Sequence, residues 1–123
     1  MTIAAIDFQT LANAGFPLAQ YAPGDVIFAE GDPGDKMYVI RSGEVEILLD
    51  DRVLEVLTSG GIFGEMALID GAARVATARA KTACEVAPIS EKTFLFLVHE
   101  TPFFAIAVMR TLAARLRRMD QAL

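Results

Sequence analysis

The sequence predicts a mainly β sandwich or barrel flanked by helices, and three observations carry that expectation. Turn signals recur through the middle of the chain at Pro23-Gly24, Gly31-Asp32-Pro33-Gly34, Ser42-Gly43, Asp50-Asp51, Gly60-Gly61 and Asp70-Gly71. Short β-rich runs fill the intervals, the rhythm of an all-β domain. The texture turns helical before Gly15 and again after Pro88. At 123 residues the chain suits one domain with its own core. Its 54% apolar content and mean hydropathy of +0.42 exceed what a lone monomer needs, which points to a buried partner surface.

Taken in order, Ile3, Ile6 or Asp7, Phe8 and Leu11 stand at near-helical spacing, so residues 3–14 are expected to form a short amphipathic helix ending at Gly15. Val45, Ile47 and Leu49 share one face of a strand, with Glu44 and Glu46 on the other. Val53 and Leu57 alternate with Leu54 and Val56, so this run is apolar on both faces apart from Glu55, the pattern of an inner strand. Arg74, Ala76, Ala78 and Ala80 fall on one face. Three alanines beside the arginine leave a shallow floor that a small ligand fits over. Cys84 alternates with Glu85 beside Val86, which reads as a buried, inert thiol.

Ser90 is placed to cap a helix over 91–99, with Glu91 in its first turn. Thr101-Pro102 is a second start signal, for a last helix from Pro102 to about Gln121. Phe103, Phe104, Ile106, Val108, Met109, Leu112 and Leu116 cover much of its circumference, so it needs cover on two sides. The β-roll supplies one; a lid contact, a second copy or a partner protein supplies the other. Arg117 and Arg118 suit a solvated helix C-terminus.

Several function classes are excluded early. A net charge of −5 and a pI near 4.7 suit non-specific nucleic-acid binding poorly. The single cysteine, Cys84, makes no internal disulfide, and a reducing cytoplasm is expected. With His99 as the sole histidine, neither an ordinary His- or Cys-rich metal site nor a His-dependent nucleophile can be assembled. No catalytic residue, metal or cofactor is therefore expected, and the chain is not expected to be an enzyme. Residues 93–109 are interrupted by His99, Glu100 and Pro102, so no membrane span is expected. The N-terminus carries Asp7 and no basic region, unlike a secretion signal, and Met1 favours a complete small protein.

The stretch with the most chemistry is residues 63–77, FGEMALIDGAARVAT. Glu65 and Arg74 stand in apolar surroundings, and ionised groups go inside only when paired, here with each other or with a ligand. Gly64 permits close backbone approach, and a turn starting there points free N–H groups near Met66 and Ala67 at one place. Arg74 adds a planar fork suited to phosphate oxygens. Glu65 would repel a phosphate but can accept from a neighbouring hydroxyl. An anion beside a hydroxyl describes a ribose phosphate.

The same residues resemble the phosphate-binding cassette of cyclic nucleotide-binding domains, the family of protein kinase A regulatory subunits, the catabolite activator protein and bacterial cyclic-nucleotide-gated potassium channels. Its pattern is F-G-E-(apolar)-A-L, a short loop, then R-(small)-A-T. Phe63, Gly64, Glu65, Ala67, Leu68, Arg74, Ala76 and Thr77 match, and the likeness runs from Tyr21 to the last helix. It implies one domain: an N-terminal helix over 1–15, a double-stranded β-helix (jelly roll) over 18–89, and two C-terminal helices over 90–123. It implies a cyclic nucleotide as ligand, Glu65 on the ribose 2′-hydroxyl and Arg74 on the cyclic phosphate. Phe63, Gly64, Met66, Ala67, Val75 and Ala76 complete the site.

Counted without gaps from Arg74, Arg115 falls at a lid position over the base in the channel domains. Val75 replaces the usual Ser, Thr or Ala, which favours cAMP over cGMP. The family's transcription regulators place a helix-turn-helix after the long helix, and this chain stops at Leu123 inside that helix, so no DNA reader is expected. The leading expectation is a stand-alone cAMP sensor that signals by rearranging its last helix. The alternative is a ligand-free domain in which Glu65 and Arg74 pair with each other and the last helix dimerises.

Overall fold

The computed structural model describes residues 8–121. A helix, α1 (Phe8–Ala12), precedes five strands: β1 (Ala19–Tyr21), β2 (Val26–Phe28), β3 (Lys36–Ser42), β4 (Val45–Leu49) and β5 (Arg52–Leu57). Next come β6 (Ile62–Phe63), the short helix α2 (Glu65–Asp70), β7 (Thr77–Ala80) and β8 (Cys84–Ser90). Two helices close the chain, α3 (Glu91–Glu100) and α4 (Pro102–Gln121). The strands form two antiparallel four-stranded sheets, in the orders β1-β8-β3-β6 and β2-β7-β4-β5. This is the expected jelly-roll arrangement.

The two sheets differ in burial. The first is covered on both faces. Ile40, Phe63, Cys84 and Val86 pack between the sheets against Val45, Ala78 and Ala80. Met37, Val39, Ile62, Ala87 and Ile89 pack outward against Leu11, Ala12, Leu68, Phe104 and Val108. That explains why β3 and β8 read as nearly continuous apolar runs. On the second sheet Arg79 pairs with Glu46 at 2.8 Å and both remain partly exposed. Burial pushes the Cys84 thiol above its ordinary range, with Asp25 adding to it, as suits an inert thiol.

Three expectations change. The first helix is shorter: α1 ends at Ala12, and Asn13 and Ala14 donate back to Gln9 and Leu11 in a fraying turn before Gly15. Ile3, Ile6 and Asp7 lie outside the described residues. Second, β5 is not an inner strand but the edge of its sheet, with Val53, Leu54 and Val56 exposed. Its two-faced apolarity arises because one face lines a cavity while the other carries β-branched residues on an outer surface. The alternation is also broken: Ile47 pairs with Glu55 but Leu48 with Val53, so Leu54 is an extra, bulged residue. Third, only Ala76 of the three alanines lies at the cavity. Ala78 and Ala80 are in the core between the sheets.

The helix boundaries follow their local chemistry. The Ser90 side chain accepts from the Thr93 N–H, and the Thr101 N–H closes α3 on the Leu97 carbonyl at 2.8 Å. Pro102 then starts α4, which turns 118° from α3. No single described helix is long and apolar enough to cross a membrane. Phe104 makes edge contacts with Phe8 and Phe94 and anchors α4 to the first sheet. Phe104 is 2% exposed and Phe103 46%. Phe104→Ala should therefore cost about 3–5 kcal/mol in urea unfolding, and Phe103→Ala within about 0.5 kcal/mol. Equal losses would contradict this docking of α4.

Candidate functional site

The site is assembled around Arg74, which arrives just before β7 and is 5% exposed. Its backbone is fixed by the turn expected at Gly31-Asp32-Pro33-Gly34. The Arg74 N–H donates to the Asp32 carbonyl and the Gly31 N–H donates to the Arg74 carbonyl, both at 2.8 Å. Its guanidinium donates to the Gly64 and Lys36 carbonyls, each at 2.7 Å, and lies 4.1 Å from the Phe28 ring centre. Nε is buried with no hydrogen-bond partner among the described residues. Burial pulls the guanidinium below its ordinary pKa, with Tyr38, Asp35 and Asp32 opposing.

Two glycines make room for this. A Cβ on Gly34 would sit 2.2 Å from the Ala67 Cβ and 3.0 Å from Arg74 Nε. A Cβ on Gly64, whose φ is +78°, would sit 2.7 Å from Arg74 Nη1. The Gly31–Gly34 turn thus gives the arginine its space. Gly64 also precedes α2 as an N-cap without a side-chain cap bond. The first-turn N–H groups there have no intrahelical partner.

Glu65, 2% exposed, opens α2. It does not pair with Arg74. Arg115, reaching across from α4, donates to Glu65 Oε1 through Nη1, to the Ile62 carbonyl through Nη2, and to Glu55 Oε2 through Nε at 3.3 Å. Arg118 donates to the other Glu55 oxygen at 2.8 Å. Burial lowers the Arg115 pKa and Glu55 opposes it. The expected choice between mutual pairing and a ligand is therefore too narrow, because a long-range partner takes the carboxylate and backbone carbonyls hold the arginine.

All nine expected site residues, Phe63, Gly64, Glu65, Met66, Ala67, Arg74, Val75, Ala76 and Arg115, line one cavity of about 320 Å³. That volume is at the small end of the range for ligand sites. Phe63 is buried beneath a stack with Tyr38 at 5.0 Å between ring centres. Val75 lies at the rim, 59% exposed. Sequence reasoning missed Phe28, Ile47, Leu49, Leu54, Glu55 and Arg118, which line the same cavity. Arg118 is solvated as expected on part of its surface but is ion-paired as well. One signal was available for Glu55: it is the lone carboxylate in the run Arg52-Val53-Leu54-Glu55-Val56-Leu57.

The lining carries three arginines and two glutamates, so one positive charge is left over. Arg115 is neutralised by its carboxylates. Among the described residues Arg74 has no carboxylate partner, although a buried charge is costly unless paired. The arrangement can hold a monoanion beside an acceptor carboxylate.

A cyclic AMP receptor protein of Thermus thermophilus is 34% identical over 115 residues, covering 89% of this chain and 53% of that protein. A cAMP-dependent protein kinase regulatory subunit of Pyricularia oryzae is 34% identical over 95 residues, covering 76% of this chain and 24% of that protein. The crystal structure of the Thermus thermophilus catabolite activator protein superposes with a TM-score of 0.81 at 32% identity, covering 94% of this chain and 56% of that one. The chain thus spans about half the length of the bacterial relative and about a quarter of the kinase subunit. The family model for the cyclic nucleotide-binding domain matches residues 18–101, and with the cavity built on Arg74 and Glu65 this places the chain in the cyclic nucleotide-binding domain family.

Proposed function

We propose that this chain is a cyclic nucleotide sensor with a preference for cAMP, acting by binding rather than catalysis. The observation that carries the reading is Arg74, a nearly buried guanidinium with no carboxylate partner among the described residues, on a cavity with one positive charge to spare. A cyclic phosphodiester is a monoanion and matches that charge. The preference for cAMP rests on Val75, which puts an aliphatic side chain where a hydroxyl would serve guanine. Cytoplasmic placement follows the single buried Cys84.

A thermal-shift comparison of cAMP, cGMP and 5′-AMP tests the whole reading. At about 100 times its dissociation constant a ligand stabilises by ~2.7 kcal/mol, on the order of 10 °C here. The shift should be largest with cAMP and smallest with 5′-AMP. No shift with any cyclic nucleotide would favour the ligand-free domain.

Arg74 takes the phosphate and Glu65 the ribose 2′-hydroxyl, aided by the Met66 and Ala67 backbone. Glu65 Oε1 is held by Arg115, and Oε2 accepts no hydrogen bond from the described residues. By titration calorimetry Arg74→Ala should weaken cAMP ten- to a hundred-fold, ~1.5–3 kcal/mol for a charge-assisted contact. Arg74→Lys should recover only part, having lost the fork. The 2′-deoxy analogue should bind worse than cAMP to the native chain but little worse to Glu65→Gln. Unchanged affinity in Arg74→Ala, or equal binding of ribose and deoxyribose forms, would overturn the assignment.

α4 is the moving element. Arg115 ties it to Glu65 on α2 and Glu55 on β5, so a ligand that engages Glu65 bears directly on α4. Phe103, Ile106, Met109 and Leu116 leave exposed apolar surface along α4 for a second copy or partner protein. A ligand shifts such an equilibrium only by its differential affinity for the two states. Amide exchange over residues 103–118 should slow with cAMP, and Arg115→Ala should weaken binding less than Arg74→Ala. Identical exchange at saturation would leave a domain that binds without signalling through α4.

A further inference from the structure

We infer that Glu55 reads the base of the ligand by accepting a hydrogen bond from the exocyclic amine of adenine. The inference rests on the nucleotide reading above and adds a specificity determinant to it. Once Arg74 and Glu65 are assigned to phosphate and ribose, the only charged side chains left on the cavity lining are Glu55, Arg115 and Arg118. The rest of that end is aliphatic: Ile47, Leu49 and Leu54 from β4 and β5. A purine laid with its face against the aliphatic wall brings its edge toward the three charges.

Of these, only Glu55 can accept. Its Oε2 takes Arg115 Nε at 3.3 Å and its Oε1 takes Arg118 Nη2 at 2.8 Å. A carboxylate has about four lone-pair sites, so two arginine contacts leave acceptor capacity on each oxygen. The two arginines also fix its rotamer, which removes ordering cost from the encounter.

The backbone shows how an edge strand delivers this group. The bulge at Leu54 turns both Leu54 and Glu55 toward the cavity, although neighbours in a regular strand face opposite ways. A carboxylate placed on the outer face would be solvated and would need no such device. Adenine offers an amine at its 6-position, where guanine offers a carbonyl oxygen that a carboxylate repels. Meeting the base at that position, Glu55 favours adenine independently of Val75.

The test is a cycle of two ligands and three proteins, read by calorimetry: cAMP and its 6-deamino analogue against native chain, Glu55→Gln and Glu55→Leu. The native chain should bind the deamino analogue about ten-fold more weakly, the value of a hydrogen bond to a charged acceptor. The ratio should fall in Glu55→Gln, which keeps a neutral acceptor, and approach one in Glu55→Leu. A purely structural Glu55 would weaken both ligands equally and leave the ratio unchanged, which would overturn the inference. A native ratio near one, with cAMP still binding, would overturn it alone. Failure of the native chain to bind either ligand would overturn the nucleotide reading and this inference with it. Should Glu55→Leu not fold, the native and Glu55→Gln ratios decide.

Discussion

The burial of one guanidinium organises this molecule. Arg74 gives up most of its hydration and receives two backbone carbonyls and an aromatic face in return. Those partners come from far apart in the chain: Phe28 on β2, the Lys36 carbonyl at the start of β3, and the Gly64 carbonyl ahead of α2. A charge in a low-dielectric setting needs its donors directed, so each of those segments is held in register by it. The residues without side chains at Gly34 and Gly64, and the small Ala67 and Ala76, are the steric counterpart of that requirement. A fold that put a leucine in place of Arg74 could close this space by collapse. With the arginine present, the space stays polar on one side.

Much of this was legible in the sequence. Turn chemistry at regular intervals gave the sandwich, and local capping rules placed α3 and α4, because both depend on residues a few positions apart. The cassette could be read for the same reason: Gly64, Glu65 and Arg74 lie within one short segment. Partner choice was not legible. Arg115 is 50 residues from Glu65 and 60 from Glu55, and nothing in the periodicity of either element encodes that meeting. The edge position of β5 was also hidden. Hydrophobic alternation reports which faces are covered and is silent on which strands are hydrogen-bonded. A single bulged residue, Leu54, then removed the alternation where it mattered.

The two sheets divide the work of the domain. The first is a slab packed on both faces and carries most of the fully buried side chains. The second leaves more of its surface exposed and contributes β4 and β5 to the cavity wall. The cavity lies between the two layers: β4 and β5 wall one side, while Phe63 on β6 and the Lys36 carbonyl on β3 belong to the first sheet. The charged cluster of Glu65, Arg115, Glu55 and Arg118 joins that wall to α4 without passing through the core.

The sharp reversal between α3 and α4 has a mechanical consequence. Phe104 and Val108 pin α4 near its start, while Arg115 is about 14 residues beyond Thr101, roughly 21 Å along the axis. Over such an arm, a rotation of roughly 10° at the start displaces the guanidinium by about 4 Å, as far as an ion pair reaches. A pivot at the junction of α3 and α4 would therefore be amplified at Arg115. The same rotation would move Phe104 by under about 1 Å and Val108 by about 2 Å, while every polar contact at the far end would be made or broken. The leverage is set by geometry, and lengthening or shortening the span between Pro102 and Arg115 by one turn would retune it.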